Sequence, residues 1–110
     1  MKDNLIYLKH ILEAIESIEG YLNSFTYELF VKDKKTIDAV VREIEIIGEA
    51  SNNLTDDFKK KYPKIPFRDI IDMRNVLSHE YFGVNTKVVW DTYEKNLPEL
   101  KEVIEAYLGK

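Results

Sequence analysis

The chain has 110 residues, of which 45% are hydrophobic and 33% charged, enough apolar surface for one compact core, and this excludes a disordered tail. It contains no cysteine, which excludes disulfide scaffolds, thiolate zinc sites and cysteine nucleophiles. No run approaches the roughly 18 consecutive apolar residues of a membrane span and no signal peptide opens the chain, so it reads as a soluble, cytoplasmic protein with a single domain over residues 1–110. The formal net charge of −4 conceals an asymmetry. Between Phe58 and Arg74 six basic residues (Lys59, Lys60, Lys61, Lys64, Arg68 and Arg74) stand against Asp69 and Asp72, a local +4 that leaves −8 for the rest. A positive patch on an acidic chain suits contact with a polyanion at one defined place. For the three consecutive lysines alone, a solvated loop is the simpler account.

Apolar residues recur at helical spacing almost throughout. Leu5, Leu8, Leu12, Ile15, Ile18 and Leu22 predict an amphipathic helix from about Asp3 to Asn23. Asp33 is placed to cap a second helix that carries Ile37, Val40, Val41, Ile44, Ile47 and Ala50 to about Asn53. Within it, the small residues of Gly48-Glu49-Ala50-Ser51 leave room for another helix to approach, most simply as packing. Thr55 can cap a short turn of helix ending at Tyr62-Pro63. Pro66, tolerated at a first helical position, opens a third main helix with Phe67, Ile70, Ile71, Arg74 and Leu77, for which Gly83 is the expected stop. Asn85 can cap a fourth helix with Val88, Val89, Trp90, Tyr93 and Leu97, which Pro98 must kink or restart before Leu100, Val103, Ile104, Tyr107 and Leu108. No segment alternates cleanly enough for a strand. The expected fold is all-α: an antiparallel four-helix up-and-down bundle with a short extra helix, its last helix kinked at Pro98.

Metal-dependent hydrolysis fits poorly, because the chain has two histidines, His10 and His79, and no histidine–carboxylate cluster at ligand spacing. Glu43, Glu45 and Glu49 read as a solvated acidic face, and His10 as an ordinary surface or edge histidine. Ser78 beside His79 is not a triad, since adjacent helical side chains diverge by about 100°. His79 stands in different company, in Met73-Arg74-Asn75-Val76-Leu77-Ser78-His79-Glu80-Tyr81-Phe82-Gly83. Arginine is a permanent cation whose forked donors suit a phosphate, and histidine transfers protons near neutral pH. Five residues of ideal helix separate the two by about 7.5 Å of rise and about 140° of rotation, so they flank a groove rather than stack. By spacing alone, an arginine capping the core and a histidine near a helix end is the simpler account of the pair.

The wider sequence decides between these readings. The pattern R-x-x-x-x-H-x-Y formed by Arg74, His79 and Tyr81 resembles the signature of the HepT-like family of HEPN ribonucleases. Arg42-Glu43-Ile44-Glu45-Ile46-Ile47-Gly48-Glu49-Ala50 resembles the family's second-helix pattern, and Ile65-Pro66-Phe67-Arg68-Asp69-Ile70 its entry to the motif helix, where a tryptophan often replaces Phe67. Val88-Val89-Trp90 and Leu97-Pro98-Glu99-Leu100 resemble its last helix. The likeness runs from about Leu5 to Leu108 and shows no departure at the three motif positions.

This resemblance implies the toxin of a toxin–antitoxin module: a homodimer whose motif helices line a shared cleft and which cuts RNA without a metal or cofactor. It implies Arg74 and His79 as catalytic residues. It also implies an MntA-like nucleotidyltransferase partner that transfers AMP from ATP onto Tyr81 and so silences the nuclease. Asn75 is placed to orient the phosphate or the imidazole, or is simply a helix position. The alternative is a non-catalytic helical adaptor that binds a nucleotidyltransferase or its nucleotide. Intact Arg74 and His79 favour the enzyme, because an adaptor needs neither.

Overall fold

The computed structural model describes the backbone of residues 4–78 and 85–109, and the side chains of residues 4–73 and 85–109. In chain order the helices are α1 (Asn4–Leu22), α2 (Tyr27–Phe30), α3 (Lys34–Asn52), α4 (Asp56–Lys60), α5 (Phe67–Ser78) and α6 (Thr86–Asp91), then a π-helical turn (Thr92–Asn96) and α7 (Leu97–Leu108). The described residues contain no strand. The fold is the expected all-α, HEPN-like bundle, with α3 packed between α1 and α5 while α7 covers α1.

The three expected caps are all present. Asp33 accepts a hydrogen bond from the Thr36 backbone N–H, Thr55 from that of Phe58, and Asn85 from that of Val88. Each satisfies one of the backbone donors that a helix start leaves unpaired. Pro66 lies one residue further out than expected. Its carbonyl accepts the first helical bond, from Ile70 N–H, so it stands at the cap of α5.

The antiparallel course is fixed by cross-links at both ends of α1. At its start, Asn4 exchanges two hydrogen bonds with Thr55, donating from Nδ2 to Oγ1 at 3.1 Å and accepting the Thr55 N–H at 3.0 Å. Near its end, Tyr21 donates to Glu43 of α3 at 3.4 Å, and Lys101 of α7 pairs with Glu19 at 2.8 Å. Between these ends Leu8, Ile11, Ile15, Ile18 and Leu22 of α1 meet Val40, Ile44 and Ile47 of α3, all nearly inaccessible to water. Each such side chain contributes about 1.5–3 kcal/mol by burial, which makes this seam the main source of stability. Gly48, Ala50 and Ser51 are buried, in keeping with close packing on that side of α3.

The break expected at Pro98 takes a specific form. Proline lacks an N–H, and in a regular helix its ring would collide with the carbonyl four residues back. The chain widens to a π-helical turn just before it, with Leu97 N–H bonded to the Thr92 carbonyl five residues back, and α7 restarts with Pro98 in its first turn. The widening shifts the register by one residue, so Val89, Thr92, Leu97, Leu100 and Ile104 all reach the core.

Candidate functional site

Helix α5 presents Phe67 and Ile70 to the core and holds Met73 half-buried. Its outer side carries Arg68, Asp69 and Asp72. Arg68 and Asp72 approach to 3.9 Å with both side chains largely in water, so their pairing contributes little to stability. Arg74 and Asn75 lie on the backbone of α5, with Arg74 one turn before Ser78. Their side chains lie outside the described residues. His79 and Tyr81 lie outside them altogether, as does the expected stop at Gly83.

The described residues on either side of this segment in the chain form a packed frame. Upstream, Met73 meets Thr92 of the π-helical turn, with Sδ 3.5 Å from the hydroxyl. Thr92 is buried, and its single proton is directed to the Val88 carbonyl at 2.8 Å, so the sulfur is a packing contact. Downstream, Asn85 caps α6 and Thr86 lies 3.3 Å from the Tyr27 hydroxyl. Lys87 pairs with Asp91 at 2.9 Å and stands 5.6 Å above the Tyr27 ring. The hydrogen bond between these two raises the lysine pKa and lowers that of the carboxyl. Trp90 joins the same group, its ring 6.0 Å from Tyr27, 5.3 Å from Phe30 and 5.3 Å from Tyr93. In sequence, residues 79–84 run from the end of α5 at Ser78 to the cap of α6 at Asn85. Sequence reasoning missed Tyr27, Thr86 and Thr92 as members of this frame, because none carries a local signature; each matters through a partner distant in sequence.

The other groups singled out by sequence are resolved more simply. His10 is exposed and lines a shallow cleft of about 190 Å³ with Glu13 and Glu43 between α1 and α3. Glu43 and Glu45 are half-buried while Glu49 is exposed, so the acidic face is less solvated than expected. No three histidine, aspartate or glutamate side chains among the described residues form a group that could hold a metal. Lys60, Lys61, Lys64 and Arg68 are exposed, whereas Lys59 turns back to Asp56 at 3.8 Å.

Comparison with known proteins places the chain in a family. The ribonuclease HepT-like family profile matches residues 11–107. The chain belongs to the HepT-like ribonuclease family. The matched span includes α5 and the segment after it, so Arg74, His79 and Tyr81 all fall within the HepT-like region. Among relatives, the chain is 48% identical over 99 residues to a protein of Thermococcus cleftensis named probable ribonuclease HepT, covering 90% of each chain. It is 43% identical over 110 residues to a candidate RNase of Caldanaerobacter subterraneus subsp. tengcongensis, covering all of this chain and 98% of that one. A longer Methanocaldococcus jannaschii protein, named as a gamma-glutamylcyclotransferase and candidate RNase, is 48% identical over 103 residues, which cover 94% of this chain and 46% of that protein. No solved structure matches the chain. No helix among the described residues is long and apolar enough to cross a membrane.

Proposed function

We propose that this protein is an endoribonuclease acting as the toxin of a toxin–antitoxin module, with Arg74 and His79 as its catalytic residues. The observation that carries the reading is the R-x-x-x-x-H-x-Y pattern of Arg74, His79 and Tyr81, which begins on α5 and lies within the family match. Metal-independent RNA cleavage uses the 2′-hydroxyl as nucleophile and needs a base, an acid and a cation at the phosphorus. One chain supplies a single histidine in the motif, and a twofold homodimer brings two copies of His79 and of Arg74 to one cleft. One His79 takes the 2′-hydroxyl proton as O2′ attacks phosphorus. The other gives a proton to O5′ as the P–O5′ bond breaks. Arg74 holds the non-bridging oxygens, where negative charge builds in the transition state. Asn75 orients the phosphate or the imidazole. The products are a 2′,3′-cyclic phosphate and a 5′-hydroxyl.

Tyr81 is the switch in this scheme. An MntA-like nucleotidyltransferase joins its phenolic oxygen to the α-phosphorus of ATP and releases pyrophosphate. The attached phosphodiester anion and adenine then lie two residues from His79, where they compete for Arg74 and block the RNA phosphate. Expression in cells lacking the nucleotidyltransferase tests the whole. The wild-type chain is expected to arrest growth and the His79→Ala chain to permit it, while Tyr81→Phe arrests growth even when the nucleotidyltransferase is present. Equal growth with wild type and His79→Ala would transfer the assignment to the non-catalytic adaptor.

A further inference from the structure

The loop between α4 and α5 is held rigid by its own backbone. Tyr62 N–H bonds to the Lys59 carbonyl, Ile65 N–H to that of Tyr62, and Phe67 N–H to that of Ile65. The Tyr62 ring rests 5.1 Å from Phe58, which also meets Phe67 and, on α7, Tyr107. Between this loop and α7 lies an open cleft of about 590 Å³. Lys61 and Lys64 stand on the loop side, Tyr62 and Val103 supply apolar lining, and Glu99 and Glu102 stand on the α7 side. Both lysines and both glutamates are exposed, and no ion pair joins them among the described residues.

We propose that this cleft is a subsite for one nucleotide of a single-stranded RNA, flanking the phosphate that is cut. The inference rests on the ribonuclease reading above and adds where the strand runs. The volume falls in the range of small-ligand sites, about 300–1,000 Å³. Lys60, Lys61 and Lys64, which form no ion pair among the described residues, continue into Arg68 in the first turn of α5, and from Phe67 the helix rises about 10 Å to Arg74. Phosphates follow this basic edge. The base lies on the aromatic and aliphatic lining, which accepts any base because each has an apolar face. Glu99 and Glu102 repel a second row of phosphates, which fixes which side of the strand faces α7. Their carboxylates accept hydrogen bonds from the exocyclic amines of adenine, cytosine or guanine, which uracil lacks.

The test is fluorescence anisotropy of the full chain with a short single-stranded 2′-O-methyl oligonucleotide, which cannot be cut. Lys61→Glu/Lys64→Glu is compared with Lys32→Glu/Lys35→Glu, an equal change of charge on exposed residues near α2 and the start of α3. The cleft pair is expected to weaken binding at least about tenfold and to make the slope of log affinity against log salt shallower by about 1.4, the value for two phosphate contacts on a single strand. The control pair stays within about twofold of wild type. Glu99→Gln/Glu102→Gln is expected to reduce the preference for amino-bearing bases over uracil. Binding by wild type with the same affinity and salt slope in both lysine pairs would overturn the subsite and leave the nuclease assignment standing. No binding by wild type would overturn both. Loss of nucleotidyltransferase binding with RNA binding intact in the cleft variant would overturn the proposal by making the cleft a protein-docking site.

Discussion

The seam between α1 and α3 and the seam between α2 and α6 are built from different materials. The first is aliphatic: Leu8, Ile11, Ile15, Ile18, Ile44 and Ile47 are sealed from water, and its polar links lie towards the helix ends. The second is aromatic and polar: Tyr27, Phe30, Trp90 and Tyr93 stack loosely, and hydroxyls and charges at Thr86, Lys87 and Asp91 join them. Apolar burial is strong but has no direction, whereas hydrogen bonds are individually modest and fix position. The aliphatic seam therefore supplies most of the stability, and the hydrogen bonds of the second fix position next, in sequence, to the segment that carries His79 and Tyr81.

Breaking each side should give different readouts. Ile44→Ala removes buried atoms from the aliphatic seam and is expected to cost about 2–5 kcal/mol of stability in urea titrations. RNA cleavage per folded molecule should persist, because the loss lies away from the motif segment. Asn85→Ala removes the cap at the downstream anchor and is expected to cost about 1 kcal/mol. Here cleavage should fall further than stability, measured where wild type and variant are equally folded. Equal losses in the two quantities would remove the distinction between the seams.

The smallest expected effect is on pH dependence. Lys101 has a raised pKa chiefly from its hydrogen bond to Glu19, and Tyr93 a raised pKa chiefly from burial, then from Glu19 and Glu94. Both groups hold their protons more tightly folded than unfolded. Their contribution is complete below the ordinary tyrosine and lysine values and is lost as pH rises through the higher folded ones. Glu19→Gln should flatten the alkaline limb of the stability profile. The change should be about half a kcal/mol at most, because Lys101 and Glu19 are partly solvated.

These contrasts also explain what could be read from sequence. Asp33, Thr55 and Asn85 were legible as caps because a cap acts on a backbone N–H three residues away. Helix α2 was not expected, because one turn from Tyr27 to Phe30 has no periodicity; the Thr26 cap and the burial of Phe30 against Trp90 hold it. Pro98 announced a break but not a π-helical turn, since the register that returns Leu97 to the core depends on the other helices. The candidate site divides similarly. Arg74, His79 and Tyr81 stand in the sequence as a spaced pattern, and the lysines as a run of charge. Glu99 and Glu102 opposite that run, and Thr92 against Met73, are relations across the fold that no local spacing encodes.

The most direct test of the central claim is to incubate a defined RNA with purified protein whose intact mass shows Tyr81 unmodified, in EDTA, and to identify the new ends by mass spectrometry. The account predicts 2′,3′-cyclic phosphate and 5′-hydroxyl ends, reduced by about 10²–10⁴-fold in His79→Ala and strongly reduced in Arg74→Ala, with the melting temperature of each variant unchanged. Intact RNA from the unmodified wild-type protein, or the same ends at the same rate from His79→Ala, would contradict it.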